Sequence, residues 1–226
     1  VILIGLFMVQ RQGTARIGKI FGLVTLLWFF SLAALGLMQV LRMPEILAAL
    51  DPRHAVAFFV ANRLHGMVVL GAVVLVITGG EALYADLGHF GRGPVQLSWL
   101  TIVYPALVLN YFGQCALLLQ NPQAAYNPFY ELVPRALLYP MVVLATGATI
   151  IASQAMISGV YSLTQQAMQI GYLPRLHIVH TSGETKGQIY MPWVNTVMLI
   201  GCLGLAIAFK ESSRLAAAYG IAVTGT

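Results

Sequence analysis

Residues 64–89 read LHGMVVLGAVVLVITGGEALYADLGH, with seventeen uncharged positions between Arg63 and Glu81. An acid after a glycine pair, with another apolar turn to follow, admits two readings. Either the oily segment ends at Gly80 and Glu81 stands in water, or a carboxylate is held inside an apolar medium. Length separates them in part. As one helix the 26 residues extend about 39 Å at 1.5 Å per residue, enough for a hydrocarbon core of roughly 30 Å. Stopping at Gly80 leaves about 26 Å, the short limit for a span. Beyond Glu81 the stretch ALYADLGHF is rich in helix formers, so the pattern is helix, TGGE, helix.

Each glycine of the pair costs a helix about 1 kcal/mol relative to alanine, so the chain is expected to unwind there. Unpaired backbone groups survive in a bilayer only beside protein or a watery cavity. A glycine-interrupted apolar segment is therefore the main sequence pointer to a transporter's binding site. The backbone at Gly79 and Gly80 and the Thr78 hydroxyl would offer hard oxygen ligands to an alkali cation. Glu81 would bind that cation or carry a proton. Against this, glycine pairs often end helices and glutamates are common at membrane interfaces, so at this level both readings stand. Asp86 and His89 read as interfacial.

The composition agrees with a membrane setting. The chain has 226 residues, 59% hydrophobic and 8% charged, against roughly 25% charged in a soluble domain. No Asp, Glu, Lys or Arg falls between Lys19 and Arg42, Arg63 and Glu81, Arg92 and Glu131, Arg135 and Arg175, or Lys186 and Lys210. Each gap holds the ~20 residues that a span requires. The expected fold class is all-α and polytopic, with five complete and two partial transmembrane helices in one transmembrane domain over 1–226. Residues 1–10 and 215–226 read as parts of spans, so the chain is expected to be an internal fragment.

Between the spans the reading is local. Residues 42–63 are expected as a polar linker with a short amphipathic piece, MPEILAAL, and an Asp51-Pro52 turn. Pro105 lies in the span 97–119, where neighbours can satisfy the carbonyl it frees. Residues 120–134 carry Asn-Pro turn chemistry, 136–171 a long helix, and 172–191 a hydrophilic loop. Pro192-Trp193 opens a further span over 192–209, a helix-start proline beside an interfacial aromatic. With the loop 10–19 cytoplasmic, six Lys/Arg fall on each side; the three bases of that loop favour this orientation.

Several function classes are excluded. The net charge of +5 is scattered and never clustered, so no nucleic-acid surface is expected. Cys115 and Cys202 each lie in an apolar run and indicate no disulfide framework. His177 and His180 have metal-pair spacing but no third ligand nearby, and read as surface loop. The helix 146–165 bears two polar stripes, Thr146, Thr149 and Ser153 on one and Gln154, Ser158, Ser162 and Gln165 on the other. These read chiefly as hydrogen bonds between helices. No nucleophile–base pair, phosphate loop or dinucleotide motif occurs, so no enzyme and no cofactor are expected.

Some blocks are long enough to be recognised. TGGEALYADLGHFGRGP, LNYFGQCALLLQNPQAAYNPFY, ATIIASQAMISGVYSLTQQAMQIGYLPR, IVHTS, GQIYMPWVN and AAAYGIAVTGT resemble, collinearly, the Kup (HAK/KUP/KT) family of potassium uptake transporters. The match is weakest over 1–60, where it is mostly hydropathy plus RQGTARIGK. The resemblance implies part of a LeuT-like, amino acid–polyamine–organocation type fold of 5+5 inverted repeats, residues 64–89 being the broken sixth helix. The chain would then run from about the end of the fourth helix to early in the tenth, with the first helices and a soluble C-terminal region outside it. The matching eighth helix faces the core in this fold, so Ser153 and Ser158 would be candidates to line an ion route.

It also implies K+ uptake by K+:H+ symport, with K+ and H+ as substrates, in a plasma membrane that is the inner membrane of a bacterium. Carried over by motif, Thr78 helps ligate K+ and Glu81 accepts the proton. Burial raises a carboxyl pKa and a nearby cation lowers it, so cation arrival and proton loss can be coupled at one site. Tyr219, in YGIAVT, would lie near the same cavity. The family's first broken helix, with its own acidic motif, is not matched, so this stretch by itself is not expected to transport. The bilayer is the expected surrounding, and a homodimer of the full-length protein is admitted. Alternatives are a related carrier for another cation or an amino acid, or a passive K+ channel, which would need a TVGYG-type filter that does not occur here.

Overall fold

The computed structural model describes residues 2–10, 18–77, 91–180 and 189–224. The chain divides into two compact units, Ala15–Asp51 with Asp86–Ala155, and Val1–Thr14 with Pro52–Ala85 and Met156–Thr226. Among the described residues the architecture is helical apart from one small hairpin. Among the described residues four stretches are long and apolar enough to cross a membrane: Ile20–Arg42, Arg92–Gln120, Arg135–Ile170 and Pro192–Phe209. The expected fifth, 64–89, is described only as far as Ile77.

In the first unit α2 (Gly18–Arg42) packs along the helical stretch that starts with α4 (Arg92–Ser98), widens into a π turn at Trp99–Val103 and continues as α5 (Tyr104–Gln120). The π turn directly precedes Pro105. That ring cannot donate to the preceding turn and needs room beside it, and a π turn widens the ladder where the proline enters.

Contact between α2 and α5 comes down to two glycines. A Cβ on Gly36 would fall on the carbonyl of Leu109, and a Cβ on Gly113 would stand 2.6 Å from the Gly36 Cα. The backbones therefore meet with no side chain between them, the arrangement by which membrane helices gain dispersion contact without a hydrophobic driving force. Ala106 and Ala116 continue the buried small-residue face of α5, and Leu32, Leu35 and Val40 are buried on α2. One turn beyond the crossing the Gln39 Nε2 donates to Gln120 Oε1 at 3.0 Å. Val40 and Ala116 pack with Ile46 of the 3-10 helix Pro44–Leu50. After α5, Asn121 accepts the N–H of Gln123 and starts the 3-10 turn Pro122–Tyr126. The short α6 (Pro128–Glu131) sets Phe129 against Trp28, ring centres 5.4 Å apart.

The second unit holds α1 (Ile2–Val9), α3 (Pro52–Ile77), α8 (Pro192–Phe209), α9 (Ser212–Thr224) and the C-terminal part of α7 (Leu138–Ile170). Its core gathers Phe7, Ile157, Tyr161, Tyr190 and Met191. The stretch 172–191, read as a loop, contains β1 (Val179–His180) paired antiparallel with β2 (Ile189–Tyr190), Val179 opposite Tyr190. That hairpin delivers Met191, fully buried, to the start of α8, where Pro192 takes the first helical positions.

The polar linker expected over 42–63 needs correction. Its second half is helical from Pro52, and the helix breaks at Arg63, whose φ of 44° and ψ of −120° leave the helical region. Pro52 stands at the first helical position, and the three alanines among Ala55 to Ala61 favour the helix.

Candidate functional site

Thr78, Gly79, Gly80 and Glu81 lie outside the described residues; what is described is the approach to them. After the break at Arg63, α3 runs from Leu64 to Ile77, fourteen residues and about 21 Å of helix. That length is about two thirds of a hydrocarbon core of roughly 30 Å. Thr78 follows Ile77 directly.

Tyr219 sits on α9, which packs against both α3 and α8, and its side chain is 41% exposed. The helix bearing Tyr219 and the helix leading to Thr78 are thus neighbours in one compact unit. Ser153 and Ser158 are both half-buried on α7. Five residues apart, they point about 140° away from each other around the helix axis, so they do not line one face together.

The polar stripes of α7 behave differently from the expectation. Their hydroxyls donate to carbonyls of their own helix four residues back: Thr146 to Val142 and Thr149 to Ala145, each at 2.8 Å, Ser153 to Thr149 at 2.8 Å, and Ser162 to Ser158 at 3.2 Å. A hydroxyl in an apolar setting takes the nearest acceptor, and in a helix that is the carbonyl one turn back. Each such oxygen keeps lone pairs, so a half-buried serine can still accept or ligate. Gln154, on the second stripe, is buried.

Sequence reasoning missed a polar clasp in the same unit. The Tyr161 hydroxyl donates to Asn195 Oδ1 at 2.7 Å, and the Asn195 Nδ2 donates to the Phe7 carbonyl at 3.2 Å. Tyr161 and Asn195 are buried, and Tyr190 meets the Tyr161 ring edge-on with centres 6.2 Å apart. Three helices, α1, α7 and α8, are pinned by these two bonds. The available signal was Asn195 itself, an amide in the first turn of an apolar helix, which demands a partner. Asn110 presents the converse case: its Oδ1 is buried without a hydrogen-bond partner among the described residues.

Comparison with known proteins adds identity to this geometry. Residues 1–226 match the family described as K+ potassium transporter integral membrane domain. The chain is 63% identical, over 99% of its length, to the "Probable potassium transport system protein Kup 2" of Syntrophobacter fumaroxidans, covering 35% of that protein. It is 56% identical over its full length to a probable potassium transport system protein Kup of Methylococcus capsulatus, covering 36%. The corresponding protein of Myxococcus xanthus is 58% identical over 99% of the chain and 34% of its own length. The chain therefore spans about a third of the length of these relatives. No solved structure matches. The match over every residue and the apolar spans agree, and the chain belongs to the K+ potassium transporter integral membrane domain family.

Proposed function

We propose that this chain is the part of a potassium uptake transporter that carries one half of its cation site, and that uptake is coupled to protons through Glu81. The observation that carries the reading is the packing of α9, with Tyr219, along the helix whose last described residue, Ile77, precedes Thr78-Gly79-Gly80-Glu81. A half-span of about 21 Å before the glycine pair suits a site at membrane depth better than one at the surface. The relatives named as potassium transport proteins support K+ as the cargo.

In this reading Thr78 and freed backbone carbonyls ligate K+ in place of its water shell, as hard oxygen donors do. Glu81 releases its proton when the cation arrives, because a nearby positive charge favours the carboxylate. A 5+5 inverted-repeat fold would supply the other half of the site from a second broken helix. Of the two serines, Ser153 and Ser158, one at most lines the same route. A bacterial inner membrane is the setting.

The test uses a full-length transporter carrying these residues, in a host without its own K+ uptake. Rb+ entry and cytoplasmic pH are followed for wild type and Glu81→Gln. Wild type is expected to accumulate Rb+ with acidification, and Glu81→Gln to lose the coupling. Rb+ entry indifferent to pH in both would overturn symport and favour a passive channel. Normal proton-coupled entry in Glu81→Gln would remove Glu81 from the mechanism and leave K+ uptake standing.

A further inference from the structure

The segment 52–62 of α3 has no role in the reading above. Every residue from Pro52 to Ala61 is exposed, although Ala55 to Ala61 read AVAFFVA. Seven successive apolar residues bared around a helix need a cover. The piece is about 16 Å long, half of what a span requires. Both of its ends are polar, Asp51, Arg53 and His54 at one and Asn62 and Arg63 at the other. A helix standing upright in the bilayer would drive one of those ends into hydrocarbon.

The break at Arg63 frees the segment from the direction of the helix that follows. In an uninterrupted helix Phe59 and Gly66 would be about 10 Å apart along the axis. Here a Cβ on Gly66 would stand 3.0 Å from the Phe59 ring and 3.7 Å from that of Phe58. The chain therefore folds back at Arg63, with two edge-to-face phenylalanines resting over the glycine. Around the helix, Ala55, Val56, Phe59 and Val60 fall within one arc while His54, Ala57, Phe58 and Ala61 fall opposite. Val56 and Val60 are 63% and 73% exposed.

We propose that residues 52–62 form an interfacial helix lying along the bilayer surface, with the exposed Val56 and Val60 set into the headgroup–acyl boundary of phospholipid. The occupant follows from continuity. The segment is tied by ten residues or fewer to the membrane-crossing helix that ends at Arg42 and, through Arg63, to the apolar run 64–77. The water–lipid boundary is thus the surface on which it must lie. A helix too short to span, with polar ends that hydrocarbon would reject, rests along that boundary rather than across it, and Arg63 can extend its guanidinium to the headgroups.

The experiment places single spin-labelled cysteines at Val56, Val60, Ala57 and Ala61 of the full-length transporter in phospholipid nanodiscs, with Cys115 and Cys202 replaced by serine. Collision rates are compared for oxygen, which partitions into lipid, and a water-soluble nickel chelate. Labels at 56 and 60 are expected to favour oxygen several-fold, and those at 57 and 61 the chelate. Equal chelate access at all four positions would overturn the proposal. So would shielding of 56 and 60 from both reagents, the sign of a covering protein surface or second copy. Should the labels disturb folding, Val60→Trp in a background without other tryptophans is expected to be quenched by bromolipid at least twofold more than Ala61→Trp; equal quenching would likewise overturn it.

Discussion

Asn195 shows how much one side chain can hold in an apolar interior. It accepts from Tyr161 and donates to the Phe7 carbonyl, so Asn195→Leu strands a buried hydroxyl and a buried carbonyl together. Unpaired buried groups cost about 1–3 kcal/mol, whereas a hydrogen bond between membrane helices averages about 0.6 kcal/mol. Asn195→Leu is therefore expected to lower stability by about 1–3 kcal/mol and Tyr161→Phe by less, measured as unfolding midpoints in detergent. A wild-type midpoint for Asn195→Leu would show that the clasp contributes nothing. A matched pair of glycines makes a second test. Gly36→Ala puts a methyl on the Leu109 carbonyl and is expected to cost about 1–3 kcal/mol through overpacking. Gly201, with nothing within 4 Å of its Cβ position, should accept Gly201→Ala with a gain of up to about 1 kcal/mol.

At the scale of elements, two helices end or break on residues with positive φ that are not glycine, Arg63 at 44° and Lys210 at 57°. Such conformations cost about 1–3 kcal/mol in residues with a Cβ, and glycine adopts them freely. Lys210 closes α8 by donating its N–H to Ala206 at 3.2 Å, the position where helices commonly carry glycine. Lys210→Gly and Arg63→Gly are each expected to raise the unfolding midpoint, and Arg63→Pro, which demands φ near −65°, to lower it. A lowered midpoint for Arg63→Gly would mean that the guanidinium, or restriction of the unfolded chain, outweighs the strain. None of this was legible beforehand. The extent of α8 was read correctly at 192–209 because proline and a charged loop mark its ends. Pro52 was read as a turn residue, and as the first residue of a helix it serves equally well.

For the whole molecule, the proposed transport would bring Thr78, Glu81 and Tyr219 to one cavity; what is described is the adjacency of α3 and α9. Tyr219→Phe in the full-length transporter is expected to weaken Rb+ affinity several-fold while leaving proton coupling intact. Unchanged affinity would take Tyr219 out of the site and leave Glu81 to its own test.

Hydropathy alone determined that the chain crosses a membrane, and roughly where. That follows because a span must satisfy its own backbone within one contiguous helix, a property each segment carries by itself. Motif blocks likewise carried the family. The tertiary structure decided what depends on distant partners. The Gln39–Gln120 bond joins residues 81 positions apart and the Asn195–Phe7 bond residues 188 apart. The glycine contact of α2 with α5 belongs to the same class. Each is a choice among several acceptors or contacts that the local sequence permits equally, and only the packing of one helix on another selects between them.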